Sequence, residues 1–267
     1  MLGKKIKNYK NAIKMSIKKI FYILPCYNES LNLDKMLKDF TNFFKLKVIQ
    51  IIIVIIDDGS KDNSIAIINK FKKNFFYKNI SIKVLKHKRN MGLGRALKTG
   101  FEYCFLKGNN DDILVSMDTD NSHTVSLSYK MANRIIFDKY EVVIASRYKK
   151  DSKIAGLNFM RKFLSFSAAL LYKIFFPIKN VSDYTSGFRA FKLEPIRNAW
   201  KKNKKFFSEK GFSASADILL KLYKYKLKFF ELPIDLRYDL KKGESKMKVM
   251  NTIYLNIALI IKRRLFF

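Results

Sequence analysis

Between residues 20 and 145 two hydrophobic rhythms alternate along the chain. Continuous apolar runs at 20–25, 49–56, 82–85, 113–117 and 142–145 predict short strands buried on both faces. Between them, apolar positions recur at three- and four-residue spacing over about 30–44, 62–73, 94–107 and 125–137, which predicts helices with one apolar face. Strand, helix, strand in this order predicts an α/β domain, with a mostly parallel central sheet and helices on both faces.

Ligands of such sheets bind at the carboxyl ends of the strands. Polar clusters follow four of the runs: "PCYNES" after the first, "DDGSKDNS" after the second, "DTDNSH" after the fourth and "SRY" after the fifth. Four loops are thus expected on one edge. Beyond residue 150 the alternation fails. A helix at 159–173, a glycine-containing "SGFRAF", a helix near 213–226 and strand-like pieces at 228–237 read as an extension of the same domain, with no linker and no repeat.

Both ends carry basic amphipathic patterns. Residues 4–20 place Ile6, Tyr9, Ile13, Ile17 and Ile20 on one helical face among seven lysines. Residues 247–261 do the same with Met250, Ile253, Tyr254, Ile257 and Ile261, followed by "KRRLFF". Such helices lie in a lipid headgroup layer or pack on their own core.

Charge extends this picture. Lys plus Arg number 54 against 22 acids, a formal net charge of +32, which calls for an anionic partner: nucleic acid, an acidic membrane surface or a phosphorylated substrate. Most of the cations are scattered lysines, so the ten arginines are the more informative. An apolar share of 48% excludes wholesale disorder. Cys26 and Cys104 show no metal-type spacing, and His87 and His123 are too few and too far apart for a histidine metal site. Five apolar residues before Pro25 are too few for a signal peptide, and no stretch approaches the ~20 residues of a membrane span, so the chain is expected on the cytoplasmic side.

The charge inside the strand ends carries the chemistry. Asp118 and Asp120 are two residues apart, so on extended backbone both carboxylates share a face and can hold one hard divalent cation. Alone, the tripeptide is a weak signal, because acidic turns after strands are common and usually just solvated. Asp57 and Asp58 end another strand and could accept hydrogen bonds from a ribose or a base, with Pro25, Tyr27 and Glu29 lining the first loop. "GLGRAL" lacks the third glycine of a dinucleotide fingerprint, and no G-x-x-x-x-G-K-[ST] occurs, which excludes Rossmann oxidoreductases and P-loop NTPases.

The segments "LPCYNES", "IIDDGSKDNS", "RNMGLGRALKTGF", "VSMDTDNSH", "IASRY", "DYTSGFRAF" and "GESKM", in this order, resemble glycosyltransferase family 2, and in it the polyprenyl-phosphate branch typified by dolichol-phosphate mannose synthase. The resemblance implies a GT-A fold over residues 19–246, with a C-terminal extension on the acceptor side, flanked by a basic arm (1–18) and a basic amphipathic helix (247–267). It implies a nucleotide-diphosphate sugar donor held by Pro25, Tyr27, Glu29, Asp57, Asp58, Gly94 and Asp118. Mg²⁺ or Mn²⁺ is implied on Asp118 and Asp120, with Ser122 at the place where some members carry a third ligand, glutamine.

Arg147, Arg161 and Ser165 match the contacts to lipid phosphate and diphosphate, Arg147 with a catalytic role beside the two acids. Arg189, Arg237 and Lys246 are further candidates, each also readable as a surface or structural cation. The i, i+4 spacing puts Arg161 and Ser165 on one helical face. A phosphate monoester, with a second pKa near 6, is already nucleophilic at neutral pH, so the implied inverting transfer to polyprenyl phosphate needs no strong general base.

Two alternatives stay open on the residues. A hydroxyl acceptor needs a base, and Asp217 in "SASADILL" stands near the position of such an acid. A noncatalytic nucleic-acid binder would use the charge, but no RNP-type aromatic signature is present. The helix within 160–178 either packs on the sheet or meets lipid tails. The implied location is the cytoplasmic face of a membrane, with a membrane-anchoring subunit as a further expected partner.

Overall fold

The computed structural model describes residues 19–74, 77–203, 205–209, 211–243 and 249–266. The basic arm 1–18 and Lys246 lie outside the described residues. Of the expected N-terminal helical face, Lys19 and Ile20 open the first strand instead.

The alternation read from the sequence is present: β1 (Lys19–Cys26), α1 (Ser30–Phe44), β2 (Gln50–Asp57), α2 (Ser64–Lys73), β3 (Ile80–Lys86), α3 (Leu93–Lys107), β4 (Ile113–Ser116), α4 (Val125–Asp138) and β5 (Val142–Ser146). Strand side chains alternate across the sheet. Phe21 and Ile23 of β1 join Val54, Ile56, Phe101 and Cys104 in one core, and Tyr22 and Leu24 join Ile53, Leu33, Phe40 and Met131 in the other. Two apolar faces on every central strand require two helical layers.

The chain continues with β6 (Lys153–Ala155), α5 (Phe159–Phe175), β7 (Arg189–Lys192), α6 (Leu193–Lys202), α7 (Ala214–Lys224), β8 (Phe229–Pro233), β9 (Asp235–Arg237), a 3₁₀ turn (Tyr238–Leu240) and α8 (Val249–Phe266). Here the structure departs from the sequence reading. The main sheet has the order β3-β2-β1-β4-β7-β5-β8, so two strands from beyond residue 150 are woven into it. β7 comes from "RAFK", an arginine-led stretch with no long apolar run, and it lies antiparallel to both neighbours. Its register sets Arg189 opposite Ser116 and Ile144. An antiparallel strand enters the sheet where its parallel neighbours leave it, so residues 183–187 arrive at the loop-bearing edge. β8 pairs parallel with β5, Pro233 opposite Ser146, and delivers β9 and residues 238–243 to the same edge.

α5 and α8 form a pair over this edge. Tyr172 donates to Asn256 Oδ1 at 2.8 Å, and α8 packs through Asn256, Leu259 and Ile260. The stripe read from the sequence as either lying in a headgroup layer or packing on the core is largely exposed, with Met250 at 78% and Tyr254 at 69%. Periodicity detects an apolar stripe, but not which way it faces.

The first two loops are sewn together at the start of α2. Asp62 accepts from the backbone of Ser30 (2.9 Å) and from the backbone and hydroxyl of Ser64 (3.0 and 2.6 Å), while Glu29 N–H donates to Ser64 Oγ. Desolvation opposes ionisation of Asp62, but these hydrogen bonds outweigh it and pull its pKa from 3.8 down to about 2. A lowered carboxylate pKa stabilises the fold above the unfolded value and loses that contribution as pH falls through the folded one. Asp62→Asn is therefore expected to lower stability at pH 6 while flattening the acid limb between pH 4 and 2. Urea titrations across that range check it; equal slopes for both proteins would contradict the assignment.

Candidate active site

The loop after β1 turns at Asn28, whose φ of 52° suits asparagine, and its side chain accepts from Lys61 N–H at 2.8 Å. Thr119 Oγ1 donates to Pro25 O at 2.6 Å, fastening the acidic loop after β4 to the same turn. Gly59 has a φ of 73°, and a Cβ there would lie 2.5 Å from the Arg89 backbone, so the loop after β2 can approach residues 89–92 only with glycine. Asp58 holds that approach: its oxygens accept from Met91 N–H (2.9 Å) and Gly92 N–H (2.8 Å) and meet His87 Nδ1 at 2.6 Å.

These loops enclose a cavity of about 510 Å³. Its polar end is lined by Pro25, Tyr27, Glu29 and Asp58 from the first two loops, Asp118, Asp120, Ser122 and His123 from the acidic loop, then Arg147, Arg161, Ser165, Tyr238 and Lys241. The other end runs between α5 and α8, where Leu164, Ala168, Leu171, Val249, Ile253 and Ile257 line it. One continuous space therefore joins an ionic pocket to an apolar gallery.

The two acids differ. The Asp118 side chain is 51% open to the cavity, with His123 Nε2 at 4.0 Å, and His123 Nδ1 accepts from the Asp118 backbone at 3.1 Å. His123 is itself stacked on Phe188, centroids 4.4 Å apart. Desolvation by the cleft walls, reinforced by Asp120, holds the Asp118 pKa above the ordinary value. Asp120 is buried, accepts from Ser122 Oγ at 2.5 Å and pairs with Lys241 Nζ at 2.8 Å. Burial raises its pKa, but Lys241 overcomes that and leaves it lowered.

Arg147, at the end of β5, makes a bidentate pair with Asp183: Nε to Oδ2 at 2.8 Å and Nη2 to Oδ1 at 2.6 Å, with Thr185 Oγ1 at 2.7 Å from Nη2. Asp183 is fully buried and stands on the segment that β7 delivers. Arg161 donates to Tyr238 Oη at 3.3 Å, and Ser165 Oγ lies 2.8 Å from Tyr148 Oη. Arg147, Arg161 and Ser165 all line the cavity, the last two from the one face of α5 that their spacing implied.

Other candidates are not brought to the cavity. Arg189 is 1% exposed and donates to the carbonyls of Ser215 and Tyr184 (2.7 Å to the latter), so it ties loops together inside the protein and is not a phosphate contact. Arg237 pairs with Asp239 at 2.7 Å away from the lining. Gly94 is buried in the first turn of α3, and Gly92 and Leu93 line the cavity in its place. Asp57 is fully buried outside the lining; Oδ1 accepts from Ser60 N–H, and Oδ2 has no partner among the described residues. Asp217 is 1% exposed between Lys221 (2.5 Å) and Arg263 (2.6 Å), also outside the lining.

Sequence reasoning missed Asp183, His123, Tyr238 and Lys241. The first two sit inside quoted segments, but only His123 follows a run read as a strand. Lys241 is one of many lysines and lies 121 positions from Asp120, so nothing in the chain singles it out.

The donor set suits a hard divalent ion: two carboxylates and a hydroxyl, all oxygen, opening on a cavity with room for water and phosphate. One of these oxygens, Asp120 Oδ2, already pairs with the ammonium of Lys241.

A mostly parallel seven-stranded sheet with paired acids after a central strand, facing a second cationic wall, is the architecture of a GT-A glycosyltransferase. The chain belongs to glycosyl transferase family 2, whose family model matches residues 22–200. It is 30% identical over 248 residues to the UDP-N-acetylglucosamine–dolichyl-phosphate N-acetylglucosaminyltransferase of Methanococcus voltae, covering 87% of this chain and 92% of that one. It is 29% identical over 231 residues to the dolichol-phosphate mannosyltransferase of Pyrococcus furiosus, covering 86% of this chain and 59% of that longer one. Among solved structures, glucosyl-3-phosphoglycerate synthase of Mycobacterium tuberculosis, crystallised with Mg²⁺ and UDP, shares the fold with a TM-score of 0.67 at 14% identity, over 97% of this chain and 83% of that one.

Proposed function

We propose that this glycosyltransferase moves a sugar from a nucleoside-diphosphate sugar to a polyprenyl phosphate, with inversion. The observation that carries the reading is the continuity of the cavity: an anion-binding pocket opens directly into an apolar gallery between α5 and α8. A phosphorylated prenyl chain has this polarity along its length. Relatives named for dolichyl-phosphate acceptors support the same acceptor class.

In this reading Pro25, Tyr27, Glu29 and Asp58 bound the donor pocket, while Asp57 is buried behind the lining. Asp118 and Asp120, with Ser122, would hold Mg²⁺ or Mn²⁺, which neutralises the departing diphosphate. Arg161 and Ser165 grip the acceptor phosphate, and Arg147 stands at the same wall with its plane set by Asp183. The acceptor oxygen is anionic at neutral pH, so the chain's residues need only align two anions and screen their repulsion.

A lipid substrate requires access from a membrane. Among the described residues no helix is long and apolar enough to cross one. α5 exposes Phe159 (82%), Phe163 (55%) and Ile174 (63%), and α8 exposes Met250, Tyr254 and Ile261, next to Lys162, Lys173 and Arg264. An apolar surface of this kind with a basic rim fits peripheral seating on an anionic cytoplasmic leaflet.

The reading is tested with purified protein, a short polyprenyl phosphate and GDP-mannose, UDP-glucose or UDP-N-acetylglucosamine, with and without Mn²⁺. Transfer from one donor that depends on Mn²⁺ is the expected result; transfer only to hydroxyl acceptors would overturn it. Asp217→Asn separates those two acceptors. Its buried ion pairs make the loss of charge cost about 3–5 kcal/mol of stability, but turnover per folded molecule should fall by much less than the about 10²-fold or more expected for a missing general base.

The gallery makes its own prediction. Leu164→Trp or Ile253→Trp is expected to raise KM for a long-chain acceptor about tenfold while leaving KM for the donor and for a short-chain acceptor unchanged. Equal effects on both chain lengths would exclude the gallery as the prenyl path.

A further inference from the structure

Lys241 occupies a position that the roles above leave unexplained. Its ammonium lies 2.8 Å from Asp120 Oδ2, with the lysine side chain 12% exposed and that of Asp120 7%. It also stands over the Tyr238 ring, 5.2 Å from the centroid, and Arg161 lies 5.9 Å from the same ring. Tyr238 is therefore a shared neighbour of the cation at the acid pair and the cation at the acceptor wall.

The backbone beside Lys241 is fixed. Lys242 N–H donates to Asn32 Oδ1 at 3.0 Å, and Asn32 Nδ2 donates back to Lys242 O at 3.0 Å. Asn32 also bonds Glu29 Oε2 at 2.7 Å and accepts from Asn121 Nδ2 at 3.0 Å. One asparagine thus clamps this segment to the first loop and to the acidic loop. The four-carbon stem of Lys241 can swing from that anchored base, carrying a compact charge.

We propose that Lys241 is a resident counter-ion of the acid pair, which a divalent cation displaces from Asp120 and which then binds the diphosphate of the donor. The inference rests on the reading of Asp118 and Asp120 as the metal site. An ammonium and a dication repel each other and compete for the same carboxylate oxygen, so the ammonium moves to the next anion within reach. While the pocket holds no diphosphate, leaving Asp120 strands the ammonium, and metal binding is weak. Once diphosphate is present the displaced ammonium has a partner, and metal binding tightens. By linkage, the metal strengthens diphosphate binding by the same factor. Lys241 is in this way a binding residue that couples two ligands.

The test uses Mn²⁺ binding, followed by electron paramagnetic resonance, to the full chain alone and with saturating inorganic pyrophosphate. Lys241→Met is expected to bind Mn²⁺ alone about tenfold more tightly than the wild type and to lose most of the gain that pyrophosphate brings. Lys241→Arg should keep the competition, and Lys242→Met, which removes a neighbouring charge without the contact, should match the wild type. Circular dichroism and thermal melting confirm that each variant is folded. Unchanged or weaker Mn²⁺ binding by folded Lys241→Met overturns the proposal, as does an equal gain in Lys242→Met, which would reduce the effect to net charge. Failure of every protein, wild type included, to bind Mn²⁺ with or without pyrophosphate would instead remove the metal-site reading beneath it.

Discussion

Asp118→Asn is expected to reduce sugar transfer about a thousandfold, the loss typical of removing a group aimed at charge that develops in the transition state, and to leave the fold untouched. The two halves of that expectation have separate grounds. Functionally, Asp118 is the more open of the paired acids and faces the cavity that would take the diphosphate. Structurally, among the described residues its carboxylate makes no ion pair closer than the 4.0 Å contact with His123. Its pKa is held up by desolvation, and a carboxylate with a raised pKa is a net cost to stability at neutral pH. The neutral amide should therefore melt at the same temperature as the wild type or slightly above. Steady-state transfer assays beside calorimetric melting decide the matter. Near-normal turnover in a folded variant would remove Asp118 from the site. Asp120→Asn is the less clean experiment, because it also deprives Lys241 of its partner.

Asp183→Asn should do the reverse, with the larger effect on stability. Asp183 is fully buried and accepts four hydrogen bonds: three from Arg147, through its backbone N–H, Nε and Nη2, and one from Ser186 N–H. Burial opposes its ionisation, and Arg147 overcomes that, so its pKa lies below the ordinary range. The stability it contributes is present above the unfolded carboxylate pKa and lost as pH falls through the folded value. An amide cannot receive a fork of N–H donors, and the guanidinium left behind is only 18% exposed. Breaking such a pair costs about 3–5 kcal/mol, which for a chain of this size lowers the melting temperature by about 10 °C. Transfer should fall as well, measured below the new transition, since Arg147 loses the partner that sets its plane at the cavity wall. Arg147→Met combined with Asp183→Asn should recover part of the stability and none of the activity. A single variant that melts like the wild type would show that the pair carries no such load.

The predictions differ in how visible their residues were. Asp118 stands out in the chain as one of two acids, two residues apart, at the end of an apolar run. Arg147 stands out because arginine is scarce. Asp183 sat in a quoted motif but received no role, because its importance comes from β7 running antiparallel and carrying residues 183–187 to the edge where β4 and β5 end. Arg189 shows the opposite error. Its scarcity suggested a ligand, yet insertion of β7 between two strands buried it against the carbonyls of Tyr184 and Ser215. Scarcity identifies residues that matter without saying whether they serve the fold or the site.

Local order along the chain was enough to establish the α/β alternation, the four loops on one edge and the paired acids, because apolar periodicity and strand-end polarity are properties of neighbours in sequence. Tertiary structure alone decided which strand sits between β4 and β5, which stripe of α8 faces outward, and that Lys241 reaches Asp120 from 121 positions away. Those are long-range pairings, chosen by competition for burial and for counter-charge among distant segments, and no window of consecutive residues contains both partners.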